Sequence, residues 1–128
     1  MFKKLRRMLK DDRKICNMRE IKFIAWREKD KFMFHVDKIN FNTEKVNDFT
    51  DCILMQYTGI EDKKGVGVYE GDIVKGQVWI GIVKWINYSW QVHRFDADGE
   101  VEEWFIINDY PFEVIGNIYE NPELLKNE

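Results

Sequence analysis

Residues 56–74 read Gln-Tyr-Thr-Gly-Ile-Glu-Asp-Lys-Lys-Gly-Val-Gly-Val-Tyr-Glu-Gly-Asp-Ile-Val, and this stretch decides the fold. Four glycines and a charged turn stand directly before a β-branched run. A chain tightens in this way before it enters the first strand of a small barrel. Glu61–Gly65 reads as a charged loop, 66–69 as a short pairing segment, and Glu70-Gly71-Asp72 as a tight turn. Ile73-Val74 then opens a strand.

Downstream, Val78–Trp85 (Val-Trp-Ile-Gly-Ile-Val-Lys-Trp) is the strongest strand signal in the chain. Gly81 inside it predicts a bulge or a close backbone approach. Asn87-Tyr88-Ser89 turns into a strand over 90–95, and Asp96-Ala97-Asp98-Gly99 supplies hairpin chemistry before a return over 101–107. Pro111 interrupts, 112–118 reads as a last strand, and Asn121-Pro122 predicts a short helix with Asn as its N-cap. Four or five short strands joined by tight turns curl into a small SH3-like or OB-like barrel, because closure protects the strand edges.

Upstream, 21–26 and 32–36 alternate about the charged turn Arg27–Lys31 and predict a hairpin. Ile39 and Phe41 precede a second turn at Asn42-Thr43-Glu44, residues 46–49 return, and Cys52–Met55 is a short apolar strand. The expected architecture is mainly β, with few short helices. A basic extension over 1–17 precedes a small N-terminal hairpin lobe over 18–55 and an SH3-like barrel with a short C-terminal helix over 56–128.

Composition agrees with that class. The chain has 128 residues, enough for one domain or two small lobes on a shared core. Nine Phe, five Tyr and five Trp suit the half-buried faces of sheets. The formal charge of −3 is split along the chain. Seven of the 20 Lys and Arg but only two of the 23 Asp and Glu fall in residues 1–17, leaving 13 basic and 21 acidic residues, a net of −8, in the body. An acidic body disfavours duplex nucleic acid and favours basic partners. The basic segment reads either as an arm for nucleic acid, anionic lipid or a protein, with Phe2, Leu5, Met8 and Leu9 at helical spacing, or as a frayed tail. No apolar run approaches the roughly 20 residues of a membrane-spanning helix, and no apolar h-region follows Arg7.

Three segments in order are similar to the YopX-like family of phage and prophage proteins. They are Met18–Trp26 (Met-Arg-Glu-Ile-Lys-Phe-Ile-Ala-Trp), the 56–74 block, and Phe112–Leu125 (Phe-Glu-Val-Ile-Gly-Asn-Ile-Tyr-Glu-Asn-Pro-Glu-Leu-Leu), which together bracket residues 18–125. The resemblance implies a β-rich fold with an SH3-like barrel in its second half, a bacterial or phage setting and no particular chemistry. Ile24 stands where the family usually has Arg, and Val66-Gly67 replace a polar pair, so a polar contact at either position would be missing. The family pattern opens at a methionine aligned with Met18. Residues 1–17 are therefore either an appended arm or the product of an upstream start codon, and their different charge and texture make the second the expectation.

Signals for chemistry are weak. Ser89 reads as a turn serine, Cys52 as a core thiol, and His35 and His93 as surface or rim histidines rather than general bases. Cys16 and Cys52 form no Cys-x-x-Cys pattern, and with two histidines they are too few for a zinc cage, so no cofactor or metal is expected. Asp96–Glu100 lacks the spacing of an EF-hand loop, and Gly65, Gly67 and Gly71 lack that of a phosphate loop. We expect no enzyme.

The remaining candidate surface is aromatic and acidic: Trp79, Trp85, Tyr88, Trp90 and Trp104 with Glu102 and Glu103. Rings flanked by carboxylates favour cations and peptides, whereas the competing reading places most of these rings in the barrel core. Trp85 and Trp90 flank a turn and are expected to point outward. The first functional expectation is a non-enzymatic protein-interaction module in the bacterial cytoplasm. A nucleic-acid accessory protein using the 1–17 arm and the barrel aromatics, and a homo-oligomeric structural component, are the alternatives.

Overall fold

The computed structural model describes residues 20–96, 99–107 and 111–125. The expected basic arm and amphipathic helix over 1–17 lie outside them, as does the tip of the Asp96–Gly99 turn. The described chain is mainly β. Its strands are β1 Phe23–Arg27, β2 Phe32–His35, β3 Ile39–Asn40, β4 Lys45–Val46, β5 Cys52–Glu61, β6 Gly67–Tyr69, β7 Asp72–Lys75, β8 Ile80–Ile86, β9 Ser89–Asp96, β10 Gly99–Ile106 and β11 Glu113–Asn117, followed by a 3-10 turn over Pro122–Leu125. No helix among the described residues is long and apolar enough to cross a membrane.

A four-stranded sheet runs β2-β1-β5-β6, and a five-stranded sheet runs β10-β9-β8-β7-β11. The second sheet curls into a half-barrel where the turn-rich second half predicted an SH3-like barrel. Its described ladder ends at β10 on one side and β11 on the other. Val68, Val74, Val83, Val92, Ile107 and Phe112 form its buried core, with Ile60, Trp79, Trp90, Phe105 and Val114 packed against them. β-Branched side chains at alternate positions of twisted strands fill such a curl without polar atoms to satisfy.

The strands agree with the sequence reading for the β1–β2 and β8–β9 hairpins. Three details differ, and at Gly81 one of the two expected alternatives holds. β5 does not stop at Met55; it pairs with β1 up to Gln56 and then with β6 from Tyr57 to Glu61. The division at residue 56 thus falls inside a continuous strand that both halves share. Gly81 makes no bulge, since β8 keeps regular register with β7 and β9. It is instead a close approach, because a Cβ there would lie 2.5 Å from Val92 Cγ1 and 2.7 Å from the His93 carbonyl oxygen.

His93 is not at the surface. It is only 3% exposed, on the opposite face of β9 from Val92, and its register partner Ile82 is buried as well. Both faces of the sheet are therefore covered at this level. Asn121 does not cap by its side chain; its Oδ1 accepts the Asn117 N–H at 3.2 Å, while its carbonyl accepts the Leu124 N–H at 3.1 Å.

The two halves interlock through the 56–74 block. The Glu70 N–H donates to the Gln56 carbonyl at 2.9 Å, the Gly71 N–H to Val83 at 2.9 Å, and the Ile118 N–H to Gly71 at 3.0 Å. Gly71 has φ +86°, a conformation that costs an L side chain roughly 1–2 kcal/mol. One turn thus ties together β5, β8 and the end of β11.

Candidate functional site

The site is built on the β8–β9 hairpin. Its loop has two residues, Asn87 and Tyr88, both left-handed at φ +51° and +66°, the twist that joins two antiparallel strands tightly. Ile86 and Ser89 then form the hydrogen-bonded pair next to the loop, so Trp85 and Trp90 form the non-hydrogen-bonded one, where side chains stand closest. Their ring centroids are 4.9 Å apart at 65°, an edge-to-face contact. Trp85 is 48% exposed, whereas Trp90 is half-buried against the core. The expectation that both point outward thus holds for Trp85 and only partly for Trp90, because Trp90 continues the core face two residues from Val92.

Beside this pair, β5 and β8 diverge and leave a groove of about 300 Å³, lined among others by Ile53, Met55, Ile82, Trp85, Tyr119 and Glu70. A smaller notch of about 150 Å³ adjoins it, lined by Gln56, Glu70, Trp85 and Trp90. Glu70 and Trp85 border both spaces. Burial, and secondarily the Glu70 charge, pushes the Tyr119 phenol above its ordinary pKa. Tyr119 is held by stacking on buried Trp26, with centroids 6.0 Å apart.

Two buried carboxylates support the site from behind. Asp72, 6% exposed, accepts the Tyr69 N–H at 2.8 Å; burial pushes its pKa from 3.8 to about 7. Burial also disfavours charge on Asp62, but backbone N–H groups of Val114, Val66 and Lys64 together outweigh it and hold that carboxyl below its ordinary range. Asp72 thereby shapes the turn that carries Glu70, and Asp62 closes the charged loop.

Trp79 and Tyr88 do not line this site. Trp79 precedes β8 and lies six extended residues from Trp85, about 20 Å along the strand. It packs on Phe105 at 4.8 Å and folds over Gly76, where a Cβ would meet its indole at 2.1 Å. Tyr88 is 92% exposed at the hairpin tip. Glu102, Glu103 and Trp104 are on β10, Trp104 in register with His93, and their side chains lie outside the described residues. Sequence reasoning missed Glu70, which it read as a turn residue. The available signal was a carboxylate fixed next to an obligatory turn glycine.

The nucleophile candidates have structural partners. Ser89 Oγ donates to the Ile86 carbonyl at 3.3 Å and accepts from Gln91 at 3.0 Å. Burial raises the Cys52 thiol pKa, which lowers its thiolate fraction. His35 is exposed on β2.

The YopX protein family matches residues 4–126. The chain belongs to the YopX family. The match takes in residues 4–17, which the sequence reading had set outside the family pattern opening at Met18. Among solved structures, protein yopX from Bacillus subtilis is similar at 22% identity and a TM-score of 0.56, covering 84% of this chain and 97% of its own. Protein EF1440 from Enterococcus faecalis is similar at 23% identity and a TM-score of 0.50, covering 84% of this chain and 99% of its own. At these identities the likeness to the YopX structures concerns the fold. No curated protein matches the chain.

Proposed function

We propose that this YopX-family chain is a non-enzymatic protein-interaction module. It is phage- or prophage-encoded, acts in the cytoplasm of a bacterial host, and docks a segment of a host or phage protein in the groove between β5 and β8. The observation that carries this reading is the edge-to-face Trp85–Trp90 pair, whose Trp85 lines a groove of about 300 Å³ together with Glu70. Large rings that remain accessible beside a concave apolar surface are the usual anchors of protein interfaces. The net charge of −8 outside residues 1–17 favours a basic partner, with affinity that weakens in salt.

The test is capture from bacterial lysate on the immobilised full chain, compared with Trp85→Ala, at low and high salt. A protein retained by the wild type at low salt, and lost both at high salt and with Trp85→Ala, supports the reading. Identical retention on both proteins overturns it.

A further inference from the structure

Glu70 is a half-buried carboxylate at the meeting point of the groove and the notch. Its backbone is held on both sides, by the Glu70–Gln56 hydrogen bond and by the Gly71 bonds to Val83 and Ile118. The backbone that carries the carboxylate is thus fixed before anything binds, which lowers the cost of binding. Some acids of the body pair with neighbouring bases, as Glu28 does with Lys31 and Glu113 with Lys64. Among the described residues no basic side chain forms an ion pair with Glu70. Lys84 lines the larger groove but not the notch.

Two indoles and one carboxylate that forms no ion pair with another described residue surround about 150 Å³, a cation-binding chemistry. The edge-to-face geometry leaves an indole face open, and Glu70 lines the same notch. A planar guanidinium satisfies both at once, stacking on the ring while its N–H fork meets the carboxylate. An ammonium is a point charge without a stacking plane, so it uses only part of the site.

We infer that the notch formed by Gln56, Glu70, Trp85 and Trp90 takes one arginine side chain of the partner protein, with Glu70 as its counter-ion. This deepens the interaction reading and rests on it for the identity of the occupant as a protein.

The test is an NMR titration of the isotope-labelled full chain with N-acetyl-arginine amide, following the indole N–H signals of Trp85 and Trp90. The citrulline, lysine and norleucine analogues serve as comparators. The arginine probe is expected to shift both indole signals saturably, with citrulline weaker by about tenfold or more, as loss of a charge-assisted hydrogen bond implies. Glu70→Gln is expected to weaken arginine binding by a similar factor while the rest of the spectrum stays unchanged.

Citrulline or norleucine binding as tightly as arginine, undiminished binding to Glu70→Gln, or no saturable shift with any probe overturns the inference. If the probes fail while Trp85→Ala still abolishes lysate capture, the arginine inference falls and the interaction reading stands. If arginine binds through Glu70 while capture does not depend on Trp85, the reverse holds.

Discussion

The Asp62 carboxylate accepts the backbone N–H of Val114 at 2.9 Å, joining the charged loop after β5 to β11 across 52 positions of sequence. Its other oxygen accepts the N–H groups of Lys64 at 2.8 Å and Val66 at 2.9 Å. One buried side chain therefore shapes a loop and attaches it to the last strand.

Asp62→Asn places an amide donor against one of these N–H donors, and the substitution is expected to cost about 2–3 kcal/mol. Because the native pKa of Asp62 is lowered, its contribution is complete above the unfolded value near 4. It is lost as pH falls through the lower native value. Urea midpoints for wild type and variant should thus converge on acidification; a constant gap would contradict the account.

Asp72 behaves in the opposite sense. The unfolded chain releases this proton near pH 4, while the native state keeps it until about 7, so stability declines as pH rises through that window. The decline is at most about 4 kcal/mol. Asp72→Asn retains an acceptor for Tyr69 and removes the titration. It is expected to flatten the stability profile between pH 4 and 7 and to be more stable than wild type above pH 7. Thermal melts across that range check it, and parallel profiles for the two proteins would count against it.

Gly81→Ala tests the close approach in the barrel sheet. Its Cβ would meet both the Val92 side chain and the His93 backbone, and the backbone atom belongs to a regular ladder that cannot yield locally. Overpacking of this kind costs about 1–3 kcal/mol. A denaturation midpoint equal to that of wild type would show that the sheet has slack the geometry does not suggest.

Trp85 and Trp90 should separate binding from stability. Trp90 packs on the core and Trp85 is half exposed. Trp90→Ala is therefore expected to destabilise by about 2–4 kcal/mol, Trp85→Ala by about 1 kcal/mol or less. Equal losses in calorimetry would mean that Trp85 is as much a core residue as its partner.

Much of the strand order was readable because it depends on neighbours in sequence. Alternation marked β1, β2, β8 and β9, and the turn residues between them marked the hairpins. The extent of β5 was not readable. Gly59 takes a left-handed φ of +86° and the register with β6 shifts between Tyr57 and Glu61, yet the strand continues because β6 offers a ladder on both sides of the irregularity. The burial of His93 was hidden for a related reason: alternation tells which face a side chain occupies, not whether something covers that face.

The chain's local chemistry alone determined a β-rich body, its hairpins and the crowding at the Glu70-Gly71-Asp72 turn, since φ preferences and side-chain period act over a few residues. Only tertiary structure decided that Glu70 lies beside Trp85, that Asp62 reaches Val114, and that Trp79 belongs to another end of the sheet. Those relations join strands distant along the chain. They are set by how the four-stranded sheet that holds β5 packs beside the five-stranded one, which no local pattern encodes.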